Sequence, residues 1–241
     1  MSLSLGKLKT EYENAKRLLK VLGIKFEENL HKSSRLLNSD FSQEFKTASL
    51  KKDYFNCYKV ARDNQDYNLL LQDYSFFQFG YSMNERDQIE ELRYAYYEVP
   101  ALIESYEEFL ENLEFSIEEV GDDFFEDYQQ FISETRLKNH VTSIRYDYNL
   151  EQAQEIVHPT SHLHIGQEND VRLPMSFVMT PQTFVAFVAR HCYWTTWQEA
   201  IQDPTVLDSY LRIHTNNKFL EDIHFTQNDK KDIHFTLKTN S

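Results

Sequence analysis

The sequence predicts an α+β fold: an antiparallel sheet that carries a histidine strand, with N-terminal and central helices packed against it. Three observations predict it. Apolar residues recur at three- and four-residue steps near the start and across the middle, which is the period of a helix face. Short aromatic runs are bounded by Asp, Asn and Ser clusters, as antiparallel strands are. Two later stretches alternate polar with apolar side chains, the period of a half-buried strand.

Taken in order, Leu5, Leu8, Tyr12, Ala15, Leu18, Leu19 and Leu22 form one apolar stripe, with Lys9, Lys16 and Lys20 outside it. The pattern continues, with room for a break near Gly23, through Phe26, Leu30 and His31, so residues 1–50 read as a helical segment. Tyr54 to Val60, Tyr67 to Gln72, Phe76 to Tyr81 and Leu92 to Tyr97 read as strands. After Pro100, residues 101–136 read as two helices, striped by Leu102, Tyr106, Phe109, Leu110 and Leu113, then by Phe124, Phe125, Tyr128, Phe131 and Ile132. Ile144 to Tyr148 alternates around Arg145 and Asp147, and Val171 to Pro174 is a further short strand. Thr180-Pro181 supplies a hydroxyl N-cap and a proline at the first helical position, opening a buried helix through Cys192. The repeated pentapeptides Asp222 to Thr226 and Asp232 to Thr236, around Asn228 to Lys231, read as a hairpin. A chain of 241 residues buries a sizeable core, and the reading is one domain over 1–241.

Composition narrows the function classes. The net charge of −14 is unevenly placed: 12 basic against 7 acidic residues over 1–60, 4 against 20 over 61–136, and 9 against 12 over 137–241. That balance argues against broad, nonspecific binding to nucleic acid, which needs phosphate neutralisation, while leaving room for a local basic groove. No apolar stretch approaches the roughly 20 residues of a membrane-spanning helix. Two cysteines make no disulfide framework, and the expected compartment is the cytoplasm.

The stretch most charged with chemistry is His158-Pro159-Thr160-Ser161-His162-Leu163-His164-Ile165-Gly166. As a loop entering a strand, it turns His162 and His164 to one face and Leu163 and Ile165 to the other. With Arg145 and Arg172 on neighbouring strands, the pair suits acid–base hydrolysis of a phosphodiester: one imidazole takes a proton, the other gives one, and guanidinium offsets phosphate charge. The same residues also fit a divalent metal site for Zn or Mn. His162-x-His164 followed by Glu168 has the spacing of cupin-type barrels, and His158 is an alternative third ligand. A third reading is structural, with the histidines hydrogen-bonded to Asp147 and Thr160. The partner is accordingly a nucleic acid, or a basic protein meeting the acidic middle segment.

Arg145-Tyr146-Asp147, the stretch from His158 to Gly166, Arg172-Leu173-Pro174 and Thr180-Pro181-x-x-Phe184 together resemble the signature of a bacterial family, domain of unknown function 2290. The motifs lie between residues 140 and 193, and the likeness in layout covers most of the chain. The resemblance implies a bacterial cytoplasmic protein and supplies no activity. An R-Y-D strand followed by a histidine-rich strand is also similar to small toxins of toxin–antitoxin pairs.

Overall fold

The computed structural model describes residues 4–33, 41–51, 53–85, 88–101, 106–134, 138, 141–167, 171–213, 218–221 and 224–232. Helix α1 (Leu5–Val21) starts at the Ser4 cap and ends before Gly23, whose φ of +76° suits a residue without Cβ. The helix breaks near Gly23, and it does not resume through Phe26. Phe26 lies instead in strand β1 (Phe26–Glu28), and the short helix α2 (Leu30–Ser33) follows.

Helices α3 (Gln43–Ser49) and α4 (Tyr54–Asp63) come next. The second corrects the strand expected at Tyr54 to Val60. Asp53 caps it by accepting from the Asn56 amide at 3.1 Å, and Tyr54, Cys57, Tyr58 and Ala61 are buried at helical steps. The aromatic side chains suggested a strand by propensity, but their spacing and the cap decide for helix.

Strands β2 (Leu69–Leu71), β3 (Phe76–Met83) and β4 (Ile89–Tyr97) follow. Three helices, α5 (Tyr106–Asn112), α6 (Ile117–Val120) and α7 (Phe125–Glu134), stand where two were expected. The extra one is set off by Ser116, which forms a capping box with Glu119. The sheet resumes with β5 (Ser143–Asn149), β6 (Ser161–Ile165) and β7 (Leu173–Pro174). Strand β8 (Phe177–Val178), helices α8 (Pro181–Cys192), α9 (Trp194–Ala200) and α10 (Pro204–Ile213), and strand β9 (Lys218–Phe219) complete the framework with helix α11 (Gln227–Asp232).

The expected C-terminal hairpin is not formed at its centre, because the intended turn is α11. Thr226 and Asp229 cap each other there: the Asp229 amide donates to Thr226 Oγ1 at 3.2 Å, and the Thr226 amide donates to the Asp229 carboxylate at 2.8 Å. Residues 233–236 of the second pentapeptide lie outside the described residues.

Seven strands pair antiparallel in chain order, β1 to β7, while β8 and β9 form a separate pair. Alternation gives the large sheet two unlike faces. One presents Phe77, Phe79, Leu92, Tyr94, Tyr96, Ile144, Tyr146 and Leu163 to α1 and α8, in a core joined by Tyr12, Leu19, Phe184 and Val188. Burying each such side chain contributes about 1.5–3 kcal/mol. On the other face, α3 and α4 cover Phe76, Ala95 and Tyr97 with Phe45, Tyr54, Cys57 and Tyr58. Beyond that cover the same face carries Arg93, Arg145, Asp147, His162 and His164.

Candidate functional site

Register brings these side chains together. Asp147 of β5 stands opposite Arg93 of β4 and His162 of β6, while Arg145 stands opposite Ala95 and His164. All of them therefore share the face turned away from α1 and α8. A slip of one residue in β5 would exchange them for Ile144, Tyr146 and Tyr148.

Behind the histidines, buried polar groups fix the strand. The Met179 amide donates to the Tyr146 hydroxyl at 2.9 Å, Tyr146 and Ser161 hydroxyls are 2.9 Å apart, and Ser161 donates to the Phe177 carbonyl at 2.7 Å. Because Ser161 gives its proton to a carbonyl, Tyr146 is the donor between the two hydroxyls. Each polar atom of this chain has a partner, so β6 is held in place from the core side.

On the site side, His162 is 1% exposed and His164 is 8% exposed. His162 Nδ1 is 2.7 Å from the Pro159 carbonyl, which can only accept, so that nitrogen carries the hydrogen. Burial pushes the His162 imidazole down to about 4 against the pull of Asp147, with His164 pressing the same way. The ring is therefore neutral near pH 7 and its Nε2 holds a lone pair. That atom is 3.0 Å from His164 Nε2, which in turn is 3.2 Å from Asp147 Oδ2. A single hydrogen on His164 Nε2 satisfies both neighbours, and Nδ1 is the remaining nitrogen of that ring.

Asp147 is the hub. Its Oδ2 accepts from Arg145 Nε at 2.8 Å, and its Oδ1 faces Arg93 Nε at 3.4 Å. Burial alone would push the carboxyl up. The His164 hydrogen bond and the Arg145 and Arg93 guanidinium groups outweigh it and hold Asp147 well below the usual carboxylate range.

Two adjoining recesses open beside this group, of about 420 Å³ and about 250 Å³. Both are lined by Arg145, Ala95 and Tyr97 of the sheet and by Ser49 and Leu50 at the end of α3. The larger adds Lys46, Tyr81 and Arg93, and the smaller adds His164 and Arg172. The result is a cleft with four cationic side chains on a chain whose net charge is −14.

Of the residues singled out from sequence, His162 and His164 meet directly, Arg145 joins them through Asp147, and Arg172 lines the same recess as His164 and Arg145. The His158 ring stands edge-on to His162 with centroids 4.9 Å apart, and its buried Nδ1 has no hydrogen bond among the described residues. Glu168 lies outside the described residues. The third group converging with the two histidines is Asp147, and their ligand atoms all lie within 4.8 Å of one another. Among the candidate site residues, Asp147 entered the sequence reading only as a hydrogen-bond partner of the histidines. Arg93 and Lys46 were not singled out. Alternation of Leu92, Tyr94 and Tyr96 around Arg93 was a legible sign of its face; the β4–β5 register that brings it to Asp147 was not, since three helices separate the strands.

Among the described residues no helix is long and apolar enough to cross a membrane. No curated protein and no solved structure matches this chain, and the likeness to toxins of toxin–antitoxin pairs has no counterpart in these comparisons. The model of one family, described as "Uncharacterized conserved protein (DUF2290)", matches residues 25–237, and the chain belongs to that family.

Proposed function

We propose that this protein is a hydrolase of nucleic-acid phosphodiesters, of toxin or defence type, acting in the cleft beside His164. The observation that carries the reading is the shared recess of His164, Arg145 and Arg172, with Asp147 and His162 directly behind. Arg145 spends its Nε on Asp147, and a guanidinium has further N–H groups with which to hold a phosphoryl oxygen. Arg172 supplies a second cation at the same recess. Asp147 and the two histidines activate the attacking water, whose oxygen bonds to phosphorus as the ester P–O bond breaks. The departing oxygen then takes up a proton. Tyr81 and Leu50 offer apolar contact for bases in the larger recess. A site that grips phosphate rather than base edges cuts with little regard to sequence, which suits a toxin or defence enzyme.

Incubation with end-labelled single-stranded RNA and DNA tests the proposal. Cleavage by the wild type and its loss in Arg145→Ala are expected. Intact substrate of both kinds after long incubation with folded wild-type protein would refute it.

A second reading rests on the acidic middle segment. Phe115 between α5 and α6, Ile117 of α6 and Phe125 of α7 are 40–44% exposed there, in a segment rich in Glu and Asp. That combination suits a basic protein partner with an apolar anchor, and such a partner is compatible with the hydrolase.

A further inference from the structure

Three ligand atoms converge at the site, and an ion binding among them takes the place of the hydrogen on His164 Nε2, which moves to Nδ1 of that ring. His162 Nε2, His164 Nε2 and Asp147 Oδ2 face one another at 3.0 Å and 3.2 Å, and the whole set lies within 4.8 Å. Two ligands about 2.1 Å from one ion lie about 3.0 Å apart at a right angle and about 3.4 Å apart in a tetrahedron. The two separations at His164 Nε2, 3.0 Å and 3.2 Å, fall in that range.

We propose that Asp147, His162 and His164 bind one divalent first-row transition ion, with Zn²⁺ or Mn²⁺ as its class.

Three further features of the structure support the assignment. The Pro159 carbonyl takes the Nδ1 hydrogen of His162, which fixes the tautomer that aims the Nε2 lone pair at the other two atoms. Asp147 is in turn oriented by the Arg145 Nε hydrogen bond. Among the described residues Asp147 Oδ1 is buried without a hydrogen bond, with Arg93 Nε in an ion pair at 3.4 Å, so it keeps a lone pair with which to meet a further group. Two imidazoles and one carboxylate on neighbouring strands leave coordination positions for water and substrate, as catalytic rather than structural sites do. Asp147 takes the place that Glu168 holds in the sequence reading, because β5 and β6 pair so that Asp147 stands opposite His162.

The site deepens the hydrolase reading, on which its catalytic meaning rests. When bound, the ion supplies a water acidified toward neutral pH, next to Arg145 and Arg172. Binding itself is independent of any substrate, so the two ideas fail separately.

The test uses the full chain, stripped with chelator and then exchanged into metal-free buffer. Titration with Zn²⁺ or Mn²⁺ alone, read by calorimetry and elemental analysis, should give about one equivalent per chain. His162→Ala and Asp147→Asn should each retain less than about a tenth of that, whereas His31→Ala on α2 should bind as the wild type does. Should either site variant fail to fold, Co²⁺ added to the wild type provides the second readout. Visible ligand-field bands indicating nitrogen and oxygen ligands are expected, and their absence overturns the assignment. Wild type that holds under a tenth of an equivalent, or folded variants that bind as tightly as wild type, also overturn it. Cleavage that survives in metal-free protein removes the ion and leaves the hydrolase. One tightly bound ion without cleavage keeps the ion and removes the hydrolase.

Discussion

Strands β5 and β6 carry two buried polar groupings on opposite faces, and the two are built differently. Toward the core, Tyr146, Ser161, the Met179 amide and the Phe177 carbonyl form a line in which each donor has one acceptor. Toward the cleft, Asp147, His162 and His164 point at a common centre, with two guanidinium groups behind and Asp147 Oδ1 left without a hydrogen bond. The first arrangement closes upon itself and holds strands. The second keeps acceptors available beside a basic recess. Burial is therefore common to both groupings, and the way their atoms are satisfied is what differs.

Breaking the core grouping should cost most. Tyr146→Ala removes a fully buried ring and its hydroxyl, and is expected to destabilise by about 3–5 kcal/mol. Denaturant unfolding reads this as a lower midpoint at unchanged slope. Ser161→Ala leaves the Tyr146 hydroxyl and the Phe177 carbonyl short of a partner, at about 1–3 kcal/mol. The same assay measures it, and cleavage at a temperature where this variant stays folded should match the wild type. Arg172→Ala belongs at the other end of the scale, because the side chain is exposed on the cleft rim. Its stability should change by no more than about 0.5 kcal/mol. Its affinity for an oligonucleotide should fall, and the slope of log affinity against log salt should shrink by about 1. An Arg172 variant with unchanged affinity and unchanged slope would remove that residue from the substrate's path.

The same contrast explains what the sequence made legible. The period-two alternation of residues 144–148 and 161–165 was enough to put His162 and His164 on one face and Leu163 on the other. The Thr180-Pro181 opening marked α8 for the same local reason, a cap and a pre-set φ. Register across strands is long-range information, so the pairing of Asp147 with both His162 and Arg93 could not be read from spacing. Where a short aromatic run carried both strand propensity and a helical period, as at Tyr54 to Val60, the Asp53 cap and burial at helical steps decided for helix. At Asn228 to Lys231 a turn-rich composition concealed a capped helix, because the Thr226–Asp229 cap is a matter of two residues rather than of composition.

The central claim is that the converging group on the open face works on substrate rather than merely holding β5 to β6. His164→Ala tests it most directly, since Asp147 keeps Arg145 and Arg93 as partners when that ring is lost. The measurement is the cleavage rate of labelled single-stranded nucleic acid by this variant, taken at a temperature where its melting curve shows it folded. The account predicts a fall of at least about 100-fold relative to the wild type. A folded His164→Ala protein that cleaves at the wild-type rate would contradict it.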